Sequence, residues 1–433
     1  MATNVKFRIV AVFAAFTMLL GVYSAKFWPP VENASNFGIY YTAACLVRSG
    51  MSMHIYDVVD RDTNPQRLFA DPKTVWAQTA FAHGIYRHIT LYIYPPTLAD
   101  LIVPLTALPF SAALIVWYVL NILMIVGMSV ALTRELDVKF MGSTVLVAAA
   151  VLLFRPTLNT LHFGQVTILL AFLLTVGFSL YVRGHKNIAA LLFVLAIAIK
   201  LEPIVVIIPL IAWRDWKCLR SLAIWGILLC LGLWAVNGSD ALNLYFLHQL
   251  PAMSGGQMGG GSFDVNRSLG NIIYPCLGTV GSLRGLAWLV RVVSALILCY
   301  AGWLSRLKPG ENSTNRRQFE IGMMFLLFAC CLSPYSWFFN WALSAPVVVM
   351  FCKRAWDGRA DIVETVLLIA LLLSLSTSKF NMAMVTPILG VTLGIVALYR
   401  IRLERRPAES NNPILDTMPS FGIRLQGATT PSP

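Results

Sequence analysis

The sequence predicts an all-α integral membrane protein, a polytopic helical bundle of about twelve crossings, and three observations lead there. Of the 433 residues, 58% are apolar or aromatic and only 12% are charged, about half the charged share of an ordinary soluble domain. Mean hydropathy is +0.71. A soluble fold has too little interior to hide that much apolar surface, so most of it must face lipid or neighbouring helices. The third observation is that basic clusters sit on alternate connections between the apolar runs, the pattern of positive cytoplasmic loops.

Lys6 and Arg8 precede an apolar run from Ile9 to Ala25. A signal peptide with small residues near Ser24-Ala25 would look similar. An uncleaved first helix is preferred, because the downstream topology closes correctly only if it is retained. A long polar stretch follows over 26–91, with Glu32, Asp57, Asp60, Asp62 and Asp71. So long a segment between spans points to function. Its Tyr40, Tyr41, Tyr56, Trp76 and Tyr86 predict short helices on the membrane surface.

Tyr94-Pro95-Pro96 opens the next apolar region, broken by Pro104 and Pro109. Thr97–Leu108 therefore reads as a re-entrant or interfacial piece and Phe110–Leu132 as one full crossing. A second crossing in this region would change the parity. Further apolar runs lie near 141–154, 164–182, 187–200, 202–213, 219–236, 284–304, 319–333, 338–352, 361–377 and 383–399. Several fall short of the ~20 residues of a full span, which is tolerated where a helix borders protein or a water-filled cavity.

Arg183-His185-Lys186, Arg214-Lys217-Arg220, Arg306-Lys308-Arg316-Arg317, Lys353-Arg354-Arg359 and Arg400-Arg402-Arg405-Arg406 share one side. Both termini are then cytoplasmic, with loops at 26–91 and 237–283 on the outer face. Residues 1–402 form one membrane domain, and 403–433, rich in Pro, Ser, Thr and Asn, a disordered cytoplasmic tail.

The net charge of +13 belongs to this topology rather than to nucleic-acid binding. Eight cysteines without a Cys-x-x-Cys spacing argue against a disulfide framework or zinc site. Gly255–Gly261 lacks the Lys-Ser/Thr of a phosphate loop and reads as a flexible loop. Asn-x-Ser/Thr sequons at Asn33, Asn237, Asn266 and Asn312 matter only in a glycosylating secretory pathway.

Ionisable groups near membrane depth are costly and often functional. They are Asp100, Arg155, His162, Lys200, Glu202, Arg267, Arg284 and Arg291. Cations at the outer rim would suit a lipid-borne phosphate; snorkelling anchors are the alternative for each.

Asn36-Phe37-Gly38-Ile39-Tyr40-Tyr41-Thr42-Ala43-Ala44, Gly50 and Tyr56-Asp57 resemble the opening of glycosyltransferase family 87. Tyr94-Pro95-Pro96, Gly164-Gln165-Val166, Lys200 with Pro203, Asn266 with Ser268-Leu269, and Leu332-Ser333-Pro334 with Trp337 follow in the family's order. The resemblance implies a GT-C fold and an inverting transfer of a mannose-like hexose from a polyprenyl-phosphate sugar. The acceptor would be a glycolipid or polysaccharide on the outer face of a bacterial inner membrane. It implies no cofactor besides that donor substrate. Where the family expects an aspartate, this chain has Asn36, and a neutral amide cannot take up a proton near pH 7.

Three residues are candidates for the catalytic side: Asp57, Glu32 and Asn36. Glu32 lies four residues before Asn36 and would share its helix face. Asp57 matches the family's Tyr-Asp, with a turn or helix cap as its alternative role. Lys200, Arg267 and His162 are expected on the lipid-phosphate side, and Tyr40 and Tyr41 on the acceptor side. Gln165, Glu202 and Trp337 complete the substrate-binding set; Glu202 beside Lys200 could equally be charge compensation. Two other readings remain open: a catalytically impaired relative that binds lipid-linked saccharides, and a lipid-linked-sugar transporter. The lack of an internal repeat speaks against the second.

Overall fold

The computed structural model describes residues 35–57, 72–86, 90–139, 142–251, 267–270, 283–306, 315–333, 336–376 and 380–404. The helix expected at Ile9–Ala25, Glu32, Asn266, the Gly255–Gly261 loop and the tail beyond Glu404 lie outside them.

Helix α1 (Ser35–Arg48), a 3-10 turn (Ser52–Tyr56) and α2 (Val75–Ala82) come from the segment expected as an outer loop. Next, α3 (Pro96–Ile102) runs on into a 3-10 turn (Val103–Ala107), and α4 (Phe110–Glu135) follows Pro109. Pro96 and Pro104 occupy first-turn positions, where the missing N–H costs nothing. The single long helix α4 is long and apolar enough for the crossing expected there.

α5 (Ser143–Leu153) and α6 (Arg155–Phe163) meet at 68°. The break is at Phe154, whose extended backbone opens α6 with Arg155-Pro156. α7 (Thr167–Val182), α8 (Lys186–Ile199), a 3-10 turn (Glu202–Val206) and α9 (Ile207–Ala212) lead to α10 (Trp216–Asn243). α11 (Leu283–Ser305), α12 (Asn315–Leu332), a 3-10 segment (Phe338–Ser344), α13 (Ala345–Trp356), α14 (Ile362–Ser376) and α15 (Phe380–Leu403) complete the bundle.

Among the described residues, four helical stretches are long and apolar enough to cross a membrane: Phe110–Glu135, Trp216–Gln249, Trp288–Ser305 and Val385–Leu403. The bent pair α5–α6 makes five if counted as one span. The protein is a multi-pass helical membrane protein; the expected twelve crossings would require shorter helices such as α7 and α8 to span as well.

One expectation is corrected. The outer loop expected from residue 237 does not begin there. Gly238, at φ +73°, absorbs a kink, the helix continues to Asn243, and a π-helical turn extends it to Gln249. Asn237 is buried and donates to both carboxylate oxygens of Asp100, at 2.9 and 3.2 Å. Its sequon is therefore an internal clamp between α10 and α3. α1 is packed inside the protein: Phe37 through Leu46 are buried, and the Phe37 ring stacks on Phe110 and Trp117 of α4.

The centre is packed by backbone-to-ring contact, as small residues allow between membrane helices. α7 packs on α8, α4 and α12, and α12 packs on α15. Gly177 of α7 faces Phe193 of α8, and Gly322 of α12 faces Phe178 of α7. A Cβ at Gly322 would stand 2.5 Å from the Phe178 ring.

At the basic end, Glu320, Arg354 and Glu364 are buried. Arg354 pairs with Glu320 at 2.9 Å, Glu364 at 3.3 Å and Glu404 at 3.1 Å, while Arg359 grips Glu320 at 2.6 Å. Asp361 and Glu364 cap the start of α14 reciprocally, each side chain accepting the other's backbone N–H. This network locks α12, α13, α14 and α15 together. Removing one partner of such a buried pair typically costs ~3–5 kcal/mol.

Gly322→Ala is expected to destabilise by about 1–3 kcal/mol through overpacking against Phe178. Gly226→Ala on α10, where an added Cβ meets nothing within 4 Å, serves as the control. Thermal unfolding in bilayer discs should lower the melting temperature of the first variant only.

Candidate active site

The corner between α6 and α7 builds one wall. Gly164 ends α6 in the left-handed region (φ +65°), and Gln165 N–H closes back on Thr160 O at 2.8 Å. This is the turn for which glycine is the usual helix terminator. Trp117 of α4 donates to Gly164 O at 3.1 Å, so the corner is held from outside as well. Gln165 is thereby buried beneath α1.

There its Oε1 lies 2.8 Å from the Tyr40 hydroxyl and 3.1 Å from that of Tyr94, which are 3.1 Å apart. Tyr94 is buried next to Lys200 and Glu202. Lys200 Nζ pairs with Glu202 Oε1 at 3.0 Å, and Ser333 Oγ donates to the same oxygen at 3.1 Å. Glu202 Oε2 is buried without a hydrogen-bond partner. The pair is thus real charge compensation with one acceptor atom to spare.

The 3-10 segment Phe338–Ser344 carries a second group of candidate residues. It packs on α6, where Thr160 Oγ1 donates to Phe339 O at 2.8 Å, and on α7. Phe338 carries two guanidinium groups, Arg267 at 4.7 Å and Arg155 at 5.4 Å from its ring centroid. Arg267 is buried; it donates from its backbone to Ser336 O at 2.7 Å and from its side chain to Ser374 O and Thr386 Oγ1. Burial first, and the Arg155 charge second, lower its pKa to about 10, so it stays cationic at neutral pH. Arg155 is half-buried, and beyond its ring contact it makes no hydrogen bond or ion pair. Two like charges on one ring without a carboxylate at Arg155 favour an anion between them.

The residues expected from the sequence divide accordingly. Tyr40, Gln165, Lys200 and Glu202 converge, and Arg267 stands in the second group. Asn36 is half-exposed one turn before Tyr40 on α1, and its amide has no hydrogen-bond partner. Tyr41 points elsewhere: its hydroxyl donates to Leu108 O at 2.7 Å and its ring meets Phe37, Phe110 and His83. His162 is half-buried against Phe163, whose ring meets Phe339, as does Trp337. Asp57 lies at the other end of a tyrosine row, 3.0 Å from His54 Nδ1, and accepts Trp76 N–H at the start of α2, at 3.4 Å. The N-cap of α2 itself is Thr74, whose side chain accepts the Ala77 N–H. Glu32 is outside the described residues.

Sequence reasoning missed the second polar partner of Gln165, Tyr94, and ranked Arg155 only among groups at membrane depth. The Arg155-Pro156 helix start was the available signal, since proline in a first turn points its neighbour into a corner.

The sequence model of glycosyltransferase family 87 matches residues 92–334, more than half of the chain. The chain belongs to glycosyltransferase family 87. The match contains Tyr94, Arg155, Gln165, Lys200, Glu202, Arg267 and Ser333, and it begins after α1 and Asp57. Among relatives of this family 87 chain, a polyprenol-phosphate-mannose-dependent alpha-(1-2)-phosphatidylinositol mannoside mannosyltransferase of Mycolicibacterium smegmatis is 25% identical over 314 residues. That alignment covers 68% of this chain and 69% of the relative. A protein of the same description from Mycobacterium tuberculosis is 23% identical over 286 residues, 62% of this chain and 63% of its own.

Gln165→Leu should leave two buried phenols without their shared acceptor, a loss of about 1–3 kcal/mol each way such a group is orphaned. A lowered melting temperature, with Tyr94→Phe restoring part of it in the double variant, is the expected result.

Proposed function

We propose that this family 87 chain is an inverting hexosyltransferase that moves a mannose-like hexose from polyprenyl phosphate to a glycolipid or polysaccharide. The reaction would take place at the outer face of a bacterial inner membrane, with both termini cytoplasmic. The observation that carries the proposal is the pair of cations on one ring inside an apolar bundle: Arg155, with no ion pair to a described residue, beside Arg267 on Phe338. The names of the mycobacterial relatives support the donor class.

In the reaction the hexose C1–O bond to phosphate breaks as the acceptor oxygen bonds to C1 from the opposite side. The departing phosphate gains negative charge, which fixed cations in a dry site stabilise more in the transition state than before it. Arg155 and Arg267 are assigned to that charge, with Lys200 as a further candidate cation. The acceptor hydroxyl loses its proton to a carboxylate, for which Asp57 is the described candidate and Glu32 the other. No nucleotide, metal or further cofactor enters the scheme.

Asn36 favours a second reading. An unpartnered amide where relatives are expected to carry aspartate can still hold a sugar hydroxyl, so a saccharide-binding relative with impaired turnover fits that position. Loss of a general base typically costs a factor of about 100–10,000 in rate.

Protein in bilayer discs with labelled polyprenyl-phosphate mannose or glucose, and native membrane lipids as acceptors, tests both. Labelled glycolipid from the native protein is expected, with Arg155→Ala about 100-fold slower. Product from Asn36→Asp alone would establish the impaired relative, and none from either protein would sink the transferase reading.

A further inference from the structure

The ring of Phe338 is where separate pieces of the chain meet. Arg155 comes from the first turn of α6, Arg267 from the stretch 267–270, and Phe338 from the 3-10 segment between α12 and α13. The guanidinium carbons of Arg155 and Arg267 lie 5.4 and 4.7 Å from the ring centroid. Both fall within the ~6 Å over which an aromatic face attracts a cation.

The segment that carries the ring is fixed along its length. Asn340 N–H closes on Trp337 O at 2.8 Å, and Ser344 Oγ donates to Trp341 O at 2.7 Å. Trp341 is fully buried, and a Cβ on Gly390 of α15 would stand 3.1 Å from its indole. With Thr160 Oγ1 on Phe339 O, these contacts hold the segment against α6 and α15, while Phe338 itself stays half-buried.

Two like charges on one ring repel, and burial strengthens the repulsion. A carboxylate would relieve it, as Glu320 does for Arg354 and Arg359 at the basic end. It would also cancel the charge. An aromatic face attracts through its quadrupole and carries no net charge, so the positive field survives for a ligand anion. Arg155 is half-buried and makes no hydrogen bond or ion pair to a described residue. Among the described residues its attractive partner is therefore Phe338. A long cationic side chain held before the substrate arrives is preorganised, which is what electrostatic stabilisation requires.

We infer that Phe338 is a positioning residue: its ring holds the Arg155 and Arg267 guanidinium groups in place, without neutralising them, to meet the phosphate of the lipid-linked donor. The inference rests on the transferase reading and adds to it the group that aims its cations.

The test replaces Phe338 by trifluorophenylalanine, introduced by codon suppression, in the full chain in bilayer discs. Fluorine keeps the ring close to its native size and withdraws the electron density that attracts the cations. Phe338→Leu removes the ring altogether. Labelled polyprenyl-phosphate mannose is titrated with native membrane lipids as acceptors, and binding of polyprenyl phosphate is measured without acceptor. Donor kcat/KM should fall about fivefold with the fluorinated ring and about 30-fold with Phe338→Leu. The melting temperature of the fluorinated protein should hold. In an Arg155→Ala background the same fluorination should cost no more than about twofold, because one of the cations it acts on is gone.

An unchanged donor kcat/KM in the fluorinated protein would overturn the inference, whatever Phe338→Leu does, and leave the transferase reading intact. An undiminished loss in the Arg155→Ala background would overturn it too, since the ring would then act apart from that arginine. If turnover is absent, polyprenyl phosphate binding that fluorination weakens would uphold the role of the ring and sink the transferase reading. Binding that ignores the fluorine, or no binding by the native protein, would in that case overturn both.

Discussion

Within a lipid-facing bundle a phenol cannot turn to water, so its hydroxyl must find an acceptor in the protein. Gln165 Oε1 serves two phenols at once, Tyr40 on α1 and Tyr94 before α3. That one oxygen ties the polar N-terminal segment, the α6–α7 corner and the Lys200–Glu202 wall into a single site. Gly164 makes it possible, since its left-handed conformation turns the chain and aims Gln165 inward. Were the corner to relax, α1 would lose its polar anchor and keep only the stacking of Phe37 on α4.

The two electrostatic ends of the bundle are built on opposite principles. At the basic end, arginines and carboxylates saturate one another: Arg354 alone meets Glu320, Glu364 and Glu404. Such a network makes a rigid frame and leaves no charge for a ligand. At the site, Arg155 rests on Phe338 without an anion, and Glu202 keeps one buried oxygen unpaired. Unsatisfied charge inside a membrane protein is costly, and it is retained where a substrate completes it. The frame holds α12 through α15, and the 3-10 segment bearing Phe338 hangs between α12 and α13. Rigidity at one end thus positions open valences at the other.

Much of the site was legible along the chain because its residues carry cost signals. Lys200, Glu202, Arg155 and Arg267 stand out against apolar surroundings, and Gly164-Gln165 reads as a helix stop followed by a polar residue. Tyr41 and Tyr40 could not be told apart, for adjacent residues on a helix point about 100° apart and only the packing says which faces the site. The loop boundary at Asn237 failed for a related reason. Asn-Gly-Ser reads as a turn, but burial against Asp100 made the amide a helix contact and Gly238 absorbed the kink.

By itself the sequence determined that the chain is a helical membrane protein and which ionisable groups would be expensive to bury. Those properties follow from composition and local order, which transfer energies and proline geometry read directly. The tertiary structure alone decided which basic residues are spent in ion pairs and which remain open. It also decided that α1 packs its Phe37–Leu46 stretch inside the protein. Both outcomes depend on contacts between residues far apart in the chain, such as Tyr40 with Gln165 and Arg267 with Phe338. No local pattern encodes those pairings, because each is settled by the shape that the other helices leave between them.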